Sequence, residues 1–214
     1  MRKTKFVNGE FYHIYNRGVD KRPVFMDEYD FARFLQGMDE FNSIRPIGSI
    51  FENSFRKNKP LSNQVAKLVD IVCFCLNKNH YHLVLRQRVK NGISEFMKKV
   101  GTGFAQYFNF KNKRSGTLFQ GPFKAKHINS NDYLLHVSAY VNLNNKVHQI
   151  NTSDYFKSSW NEYVLNNKGL CSFKDVILKQ FESQNAYKLF AESSLKDIIE
   201  RKKLSKELEN LLLD

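Results

Sequence analysis

Leu76-Asn77-Lys78-Asn79-His80-Tyr81-His82-Leu83-Val84-Leu85 closes one apolar run, turns on polar residues and restarts as a second apolar run that carries two histidines. The run before it begins at Leu68. Two such runs with so short a spacer predict an antiparallel hairpin whose first strand is buried. Successive strand side chains alternate between faces, so His80 and His82 share one face and Tyr81 takes the other. Imidazole is the commonest metal-binding side chain, and two of them on rigid backbone can begin a metal site. Taken alone, a His-x-His is also read as two ordinary sheet residues.

Outward from the hairpin, the aromatic, β-branched stretch Phe11 to Asn16 predicts a first strand that stops at Arg17-Gly18, with His13 read as a plain strand residue. Asp27 is placed to cap a helix whose apolar face is Phe31, Phe34, Leu35, Met38 and Phe41. From Asn42 to Gln64 the pattern dissolves, and we expect a long connection with a short structured piece around Ile50 to Phe55. After the hairpin, Ile93, Phe96, Met97, Val100, Phe104, Tyr107 and Phe108 form one helical stripe, weakened in the middle by Gly101 and Gly103. Phe123 to Ile128 reads as another strand. A third helix follows, capped by Ser130 or Asp132, with Tyr133, Leu134, Val137 and Val141 inward. Tyr140 and Asn144, four apart, then stack on one helix face. They offer a hydroxyl and a carboxamide to one site, or equally a boundary tyrosine and a helix-ending asparagine.

The chain of 214 residues has 42% hydrophobic content and 19 Phe, enough for a real core. No apolar run reaches the roughly 18 residues of a membrane span, and the N-terminal stretch lacks an apolar signal core. Cys73, Cys75 and Cys171 make an odd number without framework spacing, which fits a reducing compartment. We therefore expect a cytoplasmic protein with no membrane partner. The net charge of +13 is uneven: residues 172–214 hold eight Lys/Arg and eight Asp/Glu, whereas Arg86 to Lys126 holds ten Lys/Arg and Glu95 alone on the acidic side. Phe104, Tyr107, Phe108, Phe110, Phe119 and Phe123 interleave those cations. Cations for phosphates and rings for bases suit single-stranded nucleic acid, and a solvated basic face would show the same charges.

Four blocks in order resemble the single-tyrosine HUH transposases, in particular the REP-associated tyrosine transposase branch: HIYNRG, CFCLNKNHYHLVL, SGTLFQGPFKA and DYLLHVSAYVNLN. The resemblance covers roughly residues 10 to 165. It implies metal ligands at His80, His82 and Asn144, and a nucleophile at Tyr140, with Tyr107 the only serious rival. It further implies Mg²⁺ or Mn²⁺ as cofactor, and cleavage and transfer of single-stranded DNA at hairpin-forming repeats through a 5′-phosphotyrosine. Relatives often carry Pro where this chain has Lys78 and Asn145, and a smaller residue where it has Tyr81. None of these changes removes a reacting group. The cations expected to grip DNA backbone are Arg17, Arg86, Arg88, Lys98, Lys111, Lys113, Arg114, Lys124 and Lys126.

The expected architecture is α+β, an antiparallel sheet of four to five strands with helices packed on it in the ferredoxin-like HUH plan. A catalytic domain over 1–165 would precede a helical extension over 166–214, in a monomer or homodimer. In that extension Ser172 is expected to cap one helix, a second to run through Tyr187 and Phe190, and Ser194-x-x-Asp197 to open a last one carrying Leu208 and Leu211. Two competing readings share the plan. One is a single-stranded nucleic-acid-binding protein without catalysis, its rings stacking bases. The other is a replication-initiator or relaxase-type nickase.

Overall fold

A computed structural model describes residues 4–55, 66–147 and 156–211, with side chains described as far as Arg201. The strands are β1 (Phe11–Arg17), β2 (Val69–Asn77), β3 (His80–Gln87), β4 (Lys124–Ile128) and β5 (Phe156–Ser158). They form one antiparallel sheet in the order β4-β1-β3-β2-β5. The first four strands give the ferredoxin-type order, and β5 extends it beyond β2. The helices are α1 (Glu28–Glu40), α2 (Ile50–Ser54), α3 (Gly92–Lys111), α4 (Asn131–Asn142), α5 (Asn144–Val147), α6 (Trp160–Val164), α7 (Asp175–Leu178) and α8 (Gln184–Leu211). The expected α+β architecture is the one found.

β2 is buried along its whole length, as an apolar run between two layers should be. Asn77 pairs with His80, so the hairpin turns on Lys78 and Asn79 alone. One face of the sheet carries Tyr12, Ile14, Tyr81, Leu83 and Leu85, all buried in the main core. The helices α1 and α3 cover this face: Phe34 lies 5.3 Å from the Tyr81 ring and 5.1 Å from Phe104. The other face carries His13, Tyr15, His80 and His82 and is covered by α4. Strand pairing fixes this division, because Tyr15 stands opposite His82 and Arg17 opposite His80 on adjacent strands.

Local signals fixed the starts of three helices. Asp27 caps α1 by accepting from the Asp30 N–H, and Ser130 caps α4 by accepting from Tyr133 N. In the expected long connection, Ser49 and Glu52 form a capping box at α2, and residues 56–64 lie outside the described residues. The helix α3 runs unbroken through both glycines. Gly103 is there for contact: a Cβ on it would sit 2.8 Å from the Phe41 ring. Gly18 is equally constrained after β1, since a Cβ would meet the Arg22 carbonyl oxygen at 2.2 Å.

Three expectations are corrected. Tyr140 and Asn144 do not share one continuous helix, because α4 ends at Asn142, Leu143 leaves helical geometry and Asn144 opens the short α5. Residues 184–211 form a single helix, and Ser194 lies inside it, bonded to His136 Nδ1 at 2.8 Å and capping nothing. Ser172 turns its hydroxyl to the Ile71 N–H at 3.1 Å, and α7 begins three residues later without a side-chain cap. In both serine cases a long-range partner takes the oxygen that a local cap would have used. The backbone at Leu208 and Leu211 is helical as expected, and their side chains lie outside the described residues.

Candidate active site

The site forms where the ends of β1 and β3 meet α4 and α5. The helix α4 is held there by a buried polar relay on its side away from Tyr140. Ser159 accepts from Phe74 N at 2.9 Å and donates to Asn142 Oδ1 at 2.6 Å. Asn142 Nδ2 donates to the Tyr187 hydroxyl at 2.9 Å, and Ser138 meets the same hydroxyl at 3.2 Å. Sheet, α4 and α8 are thus joined through groups that have no water to fall back on.

This clamp presents Tyr140 to the histidine face. The Tyr140 ring stands edge-on to His82 at 5.5 Å and to His13 at 5.9 Å between centroids. His80 and His82 lie 5.2 Å apart, also edge-on. Tyr140, His80, His82 and Asn144 therefore come together within one chain. Burial raises the Tyr140 hydroxyl above the ordinary phenol pKa, and the Asn144 amide beside it opposes that rise. Among the described residues Asn144 Nδ2 is buried and reaches no acceptor with hydrogen-bond geometry.

Hydrogen bonds fix the state of His80. Asn79 Nδ2 donates to the Lys21 carbonyl at 3.1 Å, which turns Asn79 Oδ1 toward His80 Nδ1 at 2.6 Å. Nδ1 therefore carries the proton, and in the neutral ring Nε2 presents a lone pair. That lone pair faces Asn144 Oδ1, a second acceptor, at 3.0 Å. Two donor atoms cis to each other around an octahedral ion at about 2.1 Å lie about 3.0 Å apart. The arrangement of these two lone pairs therefore fits a divalent cation. Among the described residues no group of three or more His, Cys, Asp or Glu side chains is placed to hold a metal ion, so a site here needs the Asn144 carboxamide beside the imidazoles.

Sequence reading missed two neighbours. His13 is not a plain strand residue: it is buried, stacks on His82 at 5.0 Å, and its Nε2 lies 2.8 Å from His82 Nδ1. With His82 Nδ1–H donating, His82 Nε2 is left with a lone pair, the same tautomer as His80. Desolvation, helped by Lys126, lowers the His13 pKa to about 4, so it is neutral at neutral pH. The second is Asn77, wholly buried, whose amide touches both His80 and Asn144. The period-two alternation of His13 and Tyr15 on β1 was visible in sequence, but the pairing partner was not.

The expected DNA-gripping cations divide in three. Arg17, Lys124 and Lys126 are exposed on the histidine face; Lys126 pairs across from His13 and Lys124 from Tyr15. Lys98, Lys113 and Arg114 belong to α3 and the loop after it, which the site does not include. Arg86, Arg88 and Lys111 are engaged in ion pairs: the two arginines at 2.5 and 3.2 Å from Asp70, and Lys111 at 2.7 Å from both Asp27 and Asp30. Tyr107 lies beside Lys111 and Asp30, on the sheet face opposite the histidines. A cleft of about 640 Å³ opens beside Tyr140; His13, Tyr15, Lys126 and Tyr133 line it, with Asp197 and Arg201 of α8 as the far wall.

Comparison with known proteins gives two similarities and one blank. Residues 58–144 match the family model of IS200-like transposases. Among solved structures, a REP-associated tyrosine transposase bound to a REP hairpin shares the fold, with a TM-score of 0.57 at 11% identity. The match covers 82% of this chain and 92% of that one. No curated protein sequence gives a significant match. Among the described residues no helix is long and apolar enough to cross a membrane.

Proposed function

We propose that this chain cleaves and rejoins single-stranded DNA at hairpin-forming repeats, with Tyr140 as nucleophile and a divalent cation, Mg²⁺ or Mn²⁺, held by His80, His82 and Asn144. The observation that carries the reading is the convergence of the His80 Nε2 and Asn144 Oδ1 lone pairs beside His82 and Tyr140 within one chain. The hairpin preference rests on the DNA in the similar solved structure.

A phenol with a pKa of about 10 or higher is a weak nucleophile at neutral pH. A cation held by His80, His82 and Asn144 would supply positive charge to a non-bridging phosphate oxygen, where charge develops as the phosphodiester is attacked. The residues do the rest. His13 and Asn79 hold the two imidazoles in one tautomer. The relay behind α4 holds Tyr140 in place. Arg17, Lys124 and Lys126 lie along the histidine face as cationic contacts for the strand. Tyr140 Oη gives its proton to solvent and bonds to phosphorus, the bond to the 3′-oxygen breaks, and that oxygen leaves as a hydroxyl with a proton from solvent. The 5′-phosphotyrosine conserves the phosphoester, so rejoining reverses the step without a nucleotide cofactor. A site complete in one chain supports action as a monomer.

The test is a denaturing gel of end-labelled single-stranded hairpin DNA incubated with protein and Mn²⁺. Wild type is expected to give a covalent protein–DNA band, and Tyr140→Phe none. An equal band with Tyr140→Phe assigns the nucleophile elsewhere, Tyr107 first. Salt-sensitive binding with no band under any metal favours the binding-only reading. A replication-initiator or relaxase-type nickase would form the same band on a DNA other than the hairpin repeat.

A further inference from the structure

We propose that Asn77 is a further ligand of the cation: its amide turns over as the site fills, so that Oδ1 faces the ion. This rests on the metal reading above.

Asn77 Nδ2 lies 3.0 Å from His80 Nε2 and 2.8 Å from Asn144 Oδ1. With His80 Nε2 to Asn144 Oδ1 at 3.0 Å, the three atoms form a nearly equilateral triangle. Two of the corners are acceptors, and the amide nitrogen satisfies both with its two N–H groups. This orientation of the amide and a bound cation exclude each other. Those N–H protons occupy the lone pairs that a cation needs.

The amide cannot simply withdraw. Asn77 is 0% exposed, ends β2 and is paired with His80 across the hairpin. Its carboxamide therefore stays within reach of both ligands whether or not a cation is present. Rotation of the amide by half a turn exchanges two atoms of nearly equal size and needs no movement of backbone. Little opposes it: among the described residues Asn77 Oδ1 meets only the Cys75 thiol, a weak donor, at 3.6 Å. After the turn, Oδ1 takes the third corner of the triangle. Three donors mutually about 3.0 Å apart occupy one face of an octahedron around an ion at about 2.1 Å. His82 adds a further ligand, and open positions remain for phosphate and water.

The alternative role has the opposite sign, which makes the experiment decisive. If the amide keeps its nitrogen inward it competes with the metal, and removing it tightens binding. Mn²⁺ affinity is read on the full chain without DNA, from the free-ion EPR signal, for wild type, Asn77→Leu, Asn77→Asp and His82→Ala. Asn77→Leu is expected to weaken binding at least about tenfold. Asn77→Asp, which keeps the size and adds a charge, is expected to tighten it at least tenfold and to show a larger rise in melting temperature on adding Mn²⁺. Unchanged or tighter binding by Asn77→Leu overturns the proposal, as does weaker binding by Asn77→Asp. If Asn77→Leu does not fold, Asn77→Asp alone decides by its direction. Failure of the metal reading looks different: wild type itself then takes up no Mn²⁺, and both ideas fall. If wild type binds, His82→Ala loses the ion and Asn77→Leu retains it, the metal reading stands and this one does not.

Discussion

Replacing Lys111 separates a cation that grips DNA from one that holds the fold. Lys111 lies in the basic stretch between Arg86 and Lys126, where sequence alone counts it as a phosphate contact. In the fold its ammonium bonds to Asp30, which is fully buried, and to Asp27, whose side chain is 43% exposed. Removing one partner of a buried ion pair costs about 3–5 kcal/mol, because the other charge is stranded. Two facts reduce that figure here. The Lys111 side chain is 29% exposed, so water reaches one side of the pair, and the Met26 N–H still donates to Asp30 at 2.7 Å. The Asp27 contact adds at most about 1 kcal/mol. Lys111→Met should therefore cost about 2–3 kcal/mol in a denaturant melt. For a chain of this size that lowers the melting temperature by about 4–12 °C. Asp30→Asn in the same background should recover much of the loss, since no buried charge is then left. The salt dependence of DNA binding should stay as in wild type. Lys126→Ala should do the reverse, leaving the melt alone and reducing the salt slope by about 1. If Lys111→Met lowers the salt slope and leaves stability untouched, the assignment of Lys111 to the fold is refuted.

His13 should make the metal-free protein sensitive to acid. Its folded pKa of about 4 lies below the ordinary 6.5, so the unfolded chain takes up a proton that the folded chain refuses. Stability is then full above pH 6.5 and falls as the pH drops toward 4, by about 3 kcal/mol in total. Urea melts at pH 7.5 and 4.5 with chelator should show wild type losing about 2–3 kcal/mol more than His13→Gln; equal losses would remove His13 as the cause. The two glycines of α3 should respond with opposite signs. A Cβ on Gly101 meets nothing within 4 Å, so Gly101→Ala should gain about 0.5–1 kcal/mol of helix propensity. The same gain at Gly103 is offset by about 1–3 kcal/mol of overpacking against the Phe41 ring, so Gly103→Ala should lower the melting temperature.

Much of the fold was legible because it rests on short-range patterns. The hairpin around His80 shows alternating faces and a polar two-residue turn. Asp27 and Ser130 sit where helix-capping oxygens belong. These are interactions within a few residues, and local sequence states them directly. The C-terminal helix was misread for the converse reason. Ser194 has the spacing of a helix start, but its hydroxyl is taken by His136, 58 residues earlier in the chain. A capping pattern records what a serine can do locally and says nothing of a distant partner.

The site divides along the same line. The pairing of His80 with His82 on one strand face, and the presence of Tyr140 and Asn144 in one later block, are properties of the sequence by itself. Which donor atoms converge is not. His13 meets His82 across 69 residues, and Asn77 meets Asn144 across 67, because strand register and the packing of α4 bring them together. Register fixes the face, burial removes the water that would otherwise satisfy each polar group, and only then must imidazoles and carboxamides choose tautomer and orientation against one another. Sequence supplies the groups, and the packed sheet decides which lone pairs point at the same place.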